Sequence, residues 1–221
     1  MKKVCLFLML LIGISMLCIP PIANANLIFY NSRAAFNTAA PGLSVEDFAE
    51  ARSWGNVSDP LDKNTSDAIF LPGEIQDGLR IQSELGLGLS IDYYILGLKT
   101  VSNTAYGDGL SLIFYNNNVT AAGMQIYEWP IGQEITIDIF GTSGLLGTAS
   151  FGSGWGAGSG FWGVTSTELI TQISLNDFWA YPITVDDIAS GTPVPEPATM
   201  LLLGSGLIGL AGYGRKKFFK K

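Results

Sequence analysis

Two adjacent carboxylates, Asp186 and Asp187, interrupt the apolar run "ITVDDIA" from Ile183 to Ala189. Strand alternation places Asp187 on the face of Ile183 and Val185, where burial is expected. A carboxylate taken out of water needs hydrogen bonds, an opposite charge or a metal. Asp47, in "VEDF", joins the pair if the first and last strands of the domain lie side by side. Calcium takes ~6–8 hard oxygen ligands, which carboxylates and loop carbonyls supply. Structural calcium is therefore the cofactor these residues suggest, and a backbone hydrogen bond at the end of a sheet is the plainer role for Asp187. A second candidate is the glycine-rich stretch "FGSGWGAGSGFWG", which carries Trp155, Phe161 and Trp162. Trp155 is the residue expected to stack on a sugar ring, while Phe161 or Trp162 is expected to enter the core.

Other chemistries are disfavoured by residue type. The chain has no histidine, which removes Ser-His-Asp and Cys-His catalysis and the usual zinc site. "GSGFWG" satisfies G-x-G-x-x-G but sits between apparent strands with no helix behind it, so the match reads as accidental. "DPLDKNTSD", Asp59 to Asp67, has faint EF-hand spacing. Counted from Asp62, it has Asp67 at the sixth position, which calls for glycine, and Gly73 at the twelfth, which calls for glutamate. It reads as a solvated loop. A glycosidase needs two acids ~5–10 Å apart, and no motif selects a pair among the nineteen present. No catalytic residue is assigned, and the chain is not expected to be an enzyme.

The elements that would hold these residues are mainly strands. "EITIDIF" puts Ile135, Ile137 and Ile139 on one face and Thr136 and Asp138 on the other. "LSLIFYN", "AGMQIYEW", "ITQISL" and "ITVDDIA" are further runs of strand length, separated by turn residues as in "YNNN", "GTSG" and "SLND". Strands at short spacing with no long helical pattern argue for a sandwich. Ser32 is placed to cap a short helix from Arg33 to about Ala39. Residues 51–103 read only as strands and loops.

The two ends differ from the middle. Lys2 and Lys3 precede an apolar run to Ile19, and Ala23-Asn24-Ala25 supplies small residues at the two positions a signal peptidase reads. Residues 1–25 are thus expected to be a secretory signal, cut after Ala25, and both cysteines, Cys5 and Cys18, fall inside it. An exported chain without disulfides must rest on its core, with or without bound metal. Between Asn26 and Pro197, five basic residues face all nineteen acidic ones, a net charge of −14. Such a domain repels phosphate backbones, so nucleic acid is not an expected partner.

Ala198 to Tyr213 is uncharged and mostly apolar. As a helix it would reach roughly 24 Å, short of a bilayer core about 30 Å thick, though snorkelling and local thinning narrow such a gap. Arg215, Lys216, Lys217, Lys220 and Lys221 follow at once, which predicts a cytoplasmic C-terminus. In front of it, Val194-Pro195-Glu196-Pro197 is a rigid peptide that cannot continue the helix backwards.

This ending resembles the C-terminal sorting signal of the PEP-CTERM proteins of Gram-negative bacteria. Val194, Pro195, Glu196 and Pro197 match its V-P-E-P motif, Leu201 to Gly212 its Gly-rich helix, and Arg215, Lys216 and Lys217 its basic end. The resemblance implies that exosortase, an integral-membrane protease, reads the signal and removes the tail. It also implies a surface or matrix protein associated with extracellular polysaccharide and biofilm. "EITIDIFGTSGLLGTASF", "GFWGVTSTELITQISL", "ITVDDIASG" and the opening "SRAAFNTAAPGLSVEDFAE" resemble a jelly-roll-like passenger domain common in the same group.

The expectation is an all-β protein with one jelly-roll-like antiparallel sandwich, a short N-terminal helix and a C-terminal transmembrane helix. Residues 26–192 form the domain, 193–197 the linker with the Pro-Glu-Pro triplet, 198–214 the membrane helix and 215–221 a basic cytoplasmic tail. Sec machinery and signal peptidase would export it, the inner membrane would hold it with the domain in the periplasm, and exosortase would release it to the surface. A calcium-assisted, lectin-like module is the alternative function, and a glycan hydrolase the third.

Overall fold

The computed structural model describes residues 25–92, 99–105, 107–127, 134–152, 159–177, 182–194 and 203–208. Most strands between 110 and 191 carry apolar residues at every second position, so one face of each must be buried. The two sheets bury those faces against each other.

One sheet has the order β1 (Leu27–Tyr30), β12 (Ser159–Ser166), β9 (Ala121–Tyr127), β14 (Thr184–Gly191), β7 (Thr100–Asn103), β6 (Leu89–Asp92) and β3 (Gly55–Val57). β2 (Ser44–Glu46) pairs with β14 beside that path. The other sheet runs β11 (Gly144–Phe151), β10 (Ile135–Gly141), β13 (Ile170–Asp177), β8 (Leu110–Phe114), β5 (Leu79–Ser83) and β4 (Leu61–Asp62). Every pairing is antiparallel. The protein is an all-β, jelly-roll-like sandwich. Ile135, Ile137 and Ile139 point into the shared core with Leu112, Ile173, Met124, Trp162 and Val185. The expected strands are present within a few residues of their expected bounds, and the unplaced span 51–103 supplies β3 to β7. Gly144-Leu145-Leu146-Gly147 belongs to strand β11, and the hairpin turns at Thr142 and Ser143.

Helix α1 (Arg33–Ala39) covers the outer face of the larger sheet and builds a second, smaller core. Phe36 is fully buried there against Phe161, Ala121 and Ala189. Backbone and ring approach closely: a Cβ on Gly123 would lie 2.7 Å from the Phe161 ring, and one on Gly163 2.8 Å from Phe36. Those two positions admit only glycine unless a ring moves. Ser32 occupies the expected N-cap position with extended backbone, but its side chain makes no capping hydrogen bond. Phe161 and Trp162 are both buried on opposite faces of β12, one in each core.

Among the described residues no helix is long and apolar enough to cross a membrane. Residues 203–208 are helical. The rest of the expected span 198–214 lies outside the described residues, as do Ala23, Trp155, Pro195, Glu196, Pro197, Arg215, Lys216 and Lys217.

Candidate functional site

The paired aspartates sit on an irregularity of β14. Asp186 faces Gln125 on β9 and Ala189 faces Gly123, so three steps on β14 match two on its neighbour. The extra residue is a β-bulge, which bends the strand and re-aims its side chains. Asp187 takes it up with a left-handed backbone, φ 49°, a conformation rare outside glycine. The expected face is thereby corrected. Asp186 is the buried carboxylate, 5% exposed, and Asp187 is turned to solvent.

Arg33, at the start of α1, clamps the bulge. Its Nη2 donates to the Asp187 carbonyl at 2.6 Å and lies 3.7 Å from Asp187 Oδ2. Its guanidinium stacks over the Phe161 ring at 4.7 Å. Asp186 accepts from the Asp187 N–H at 2.7 Å. Burial pushes the Asp186 carboxyl up to about 7; that hydrogen bond works against the shift, and the charges of Asp187 and Asp47 add to it. Burial also raises Tyr127 nearby, with the two aspartates adding to the shift.

Asp47 comes to this corner because the second strand, β2, pairs with β14, Glu46 opposite Ile188; the first strand, β1, pairs with β12 instead. Asp187 does not join it, since its carboxylate turns to Arg33. Two acids the sequence reading missed are here instead. Carboxylate oxygens of Glu46, Asp47 and Glu50 lie within 4.8 Å of one another. Glu46 is buried and accepts from Phe48 N at 2.9 Å and Gln76 N at 2.7 Å. Burial raises its pKa despite both bonds. Phe48, fully buried, also has a left-handed backbone, φ 52°. Strained residues thus flank the acids on two chain segments, the kind of cost usually kept where function needs it. Of the three clustered acids Glu46 is buried, and Asp47 and Glu50 are exposed; Asp186 lies outside the cluster. The signal for the missed acids was "VEDFAE", three acids in five residues.

A trough of about 700 Å³ opens between the edge strands β1 and β11. Phe29, Tyr30 and Phe151 wall it, over Phe161 and Trp162, with Asn31, Ser150 and Ser159 among its polar groups and no charged residue among the described lining. Phe29 is 44% exposed. Gly152 and Ser159, also in the lining, bracket in sequence the segment that carries Trp155.

The "DPLDKNTSD" loop is not a free solvated loop. Asp59 binds Ser83, Asp62 accepts from Arg80 Nη2 at 3.1 Å and Asn64 N at 2.8 Å, and Asp67 accepts from Ile69 N and Phe70 N, both at 2.8 Å. Its acids are used internally, for structure. The G-x-G-x-x-G match ends inside strand β12, so it heads no helix.

These features define an acidic all-β sandwich with an uncharged aromatic trough and a carboxylate cluster at a bulge. Residues 193–216 match the PEP-CTERM protein-sorting motif, and the chain carries that signal directly after its last strand. The motif implies an exported protein processed by exosortase and routed through membrane anchoring. No curated protein matches the chain. Among solved structures it is similar to CBM29_1, a family 29 carbohydrate binding module from Piromyces equi. The identity is 12%, over 63% of this chain and 90% of that one, with a TM-score of 0.35. CsCBM6-3 from Clostridium stercorarium, in complex with cellobiose, is 15% identical over 68% and 94%, with a TM-score of 0.30. The CBM22-1 xylan-binding domain of Paenibacillus barcinonensis Xyn10C is 11% identical over 71% and 99%, with a TM-score of 0.33.

Proposed function

We propose that this chain is a non-catalytic surface or matrix protein, delivered by its two ends and working through its sandwich. The observation that carries the reading is the sorting motif at residues 193–216. Sec machinery and signal peptidase act at the N-terminus, with the cut after Ala25. The tail then holds the domain at the periplasmic face of the inner membrane, and exosortase cuts near Pro195-Glu196-Pro197 and passes the domain outward to exopolysaccharide or biofilm. Intact mass in the native cell, with and without exosortase, tests this. The mature wild-type mass is expected to end near Pro197 and the knockout to keep Ala198 to Lys221. Retention of the tail in both strains would make the protein a permanent membrane resident.

The trough favours a second reading for the domain itself, carbohydrate binding. An aromatic-walled concavity with a few amide and hydroxyl groups suits a pyranose, whose C–H face stacks on rings. Trp155 would extend the wall. Calcium on Glu46, Asp47 and Glu50 would brace β2 beside the bulge; Asp186 lies outside that set, and Asp187 is paired to Arg33. The described lining of the trough holds no carboxylate, so that site has no acid pair for hydrolysis.

A further inference from the structure

The exposed face of the smaller sheet carries a groove that neither the sorting motif nor the trough uses. In register across five strands lie Gln82, Ser111, Ser174, Asp138 and Thr148, on β5, β8, β13, β10 and β11. The two central members are small and deeply set, Ser111 at 1% and Ser174 at 4% exposed. Larger side chains rise on both sides: Gln172 and Phe140 along one, Glu84 and Asn176 along the other. The cleft between them has a volume of about 430 Å³. At ~4.8 Å per strand, a row of five strands is roughly 19 Å long.

Hydrogen bonds tie the groove floor to its walls. Ser111 donates to Glu84 Oε1 at 2.9 Å and accepts from Gln172 Nε2 at 3.1 Å, while Asn176 Nδ2 lies 3.4 Å from Ser174 Oγ. Asp138 Oδ1 accepts from Thr148 at 2.6 Å. These bonds hold the walls upright. They use one oxygen of each carboxylate, and Glu84 Oε2 and Asn176 Oδ1 fold over Gly109, where a Cβ would lie 2.6–2.8 Å from them. Glu84 and Thr148 are exposed, and Gln82, Asp138 and Gln172 are half-buried. A ligand for this surface meets amides, hydroxyls and carboxylates along a line. Chain charge narrows the class further: two carboxylates within a domain of net charge −14 repel uronate or sulfated polymers. The two acids stand three strands apart, roughly 14 Å. That is too wide for a shared cation, and wider than the ~5–10 Å a hydrolytic pair needs.

We infer that the Gln82–Ser111–Ser174–Asp138–Thr148 groove binds a linear, neutral polysaccharide laid across the strands, without cleaving it. Sugar hydroxyls supply the donors, amides offer both halves of a hydrogen bond, and Phe140 offers a ring for stacking. The inference shares its partner class with the carbohydrate reading above but does not depend on the trough.

The test is calorimetric titration of the protein purified from its host with cellohexaose, mannohexaose and hexagalacturonate. Three proteins are compared: the parent, Gln172→Ala/Asn176→Ala and Phe29→Ala. Melting curves establish that each is folded, and Gln172→Glu/Asn176→Asp substitutes where the alanine pair is not. At least one neutral hexasaccharide is expected to bind the parent and to lose tenfold or more in the groove variant, with hexagalacturonate inert. Equal affinity in parent and groove variant, with loss in Phe29→Ala, overturns the groove and leaves the trough reading standing. Binding of neither neutral sugar overturns the groove and the carbohydrate reading together. Tighter binding of hexagalacturonate than of the neutral chains overturns the charge argument, and with it the proposal.

Discussion

At the scale of single residues, Asp186 is the most constrained group described. Its carboxyl is raised from 3.8 to about 7, first by burial, then by the charges of Asp187 and Asp47. The folded protein therefore holds a proton that the unfolded chain gives up near pH 4. The stability this adds is fully present below that point and is lost as pH climbs towards 7. At ~1.4 kcal/mol per pH unit the change is on the order of a few kcal/mol. In metal-free buffer the melting temperature is expected to fall between pH 4 and 7. Asp186→Asn, which keeps the shape and cannot ionise, should flatten that slope. Calcium held by Glu46, Asp47 and Glu50 should lift the wild type at pH 7, because it offsets the Asp47 charge that bears on Asp186, and should lift Asp186→Asn less. A wild-type melting temperature independent of both pH and calcium would mean that Asp186 is solvated and that the neighbouring acids hold no ion.

At the scale of elements, the bulge in β14 and the short helix α1 form one unit, with Arg33 as the tie between them. Phe36 anchors the helix over Gly123 and Gly163, where no side chain could stand. Phe36→Ala is expected to cost roughly 3–5 kcal/mol, the usual penalty for emptying a buried aromatic site. Gly163→Ala should also destabilise, by about 1–3 kcal/mol, through overpacking against the same ring. Chemical unfolding checks both, and a neutral Gly163→Ala would show that the Phe36 ring yields freely. These elements also show what the sequence made legible. Strand-length apolar runs exposed β8, β9, β10, β13 and β14, and "ITIDIF", with one buried face, reads as cleanly as it folds; β11, which buries no residue fully, and β12 were reached only through the passenger-domain resemblance. β3 to β7 stayed hidden, since most run two to four residues and β7 is buried on both faces. The bulge defeated alternation outright: one extra residue exchanged the faces of Asp186 and Asp187. Phe29 and Phe151 meet in the trough from edges of different sheets, so no local pattern links them. The groove was invisible for another reason, because its polar row is what any solvated sheet face looks like until the register is known.

At the scale of the whole molecule, the sandwich has two distinct ends, and the start of its first strand and the end of its last lie at the same one. Thr167 N donates to the Asn26 carbonyl at 3.3 Å, Ser166 N to Thr120 at 2.8 Å, and Thr120 N to Gly191 at 3.0 Å. The start of β1 and the exit of β14 are thus three strand spacings apart, roughly 14 Å. Val194, the second residue of the matched motif region, is itself held to the domain, its N–H donating to the Pro41 carbonyl at 3.0 Å. A chain anchored by its tail therefore turns this end to the bilayer, while Ser159 lies at the other end of β12, about seven residues or ~23 Å away. The trough opens towards that far end, where an extracellular partner would meet it. The orientation is measurable because both native cysteines fall within residues 1–25. Ser159→Cys and Thr167→Cys, each made in cells lacking exosortase, place one thiol at either end of the anchored domain. A bulky, membrane-impermeant maleimide added to spheroplasts should label the Ser159→Cys protein several-fold faster, and detergent should equalise the two rates. Equal rates before detergent would mean that the domain lies flat or swings freely on its tail, and that the trough has no preferred outward face.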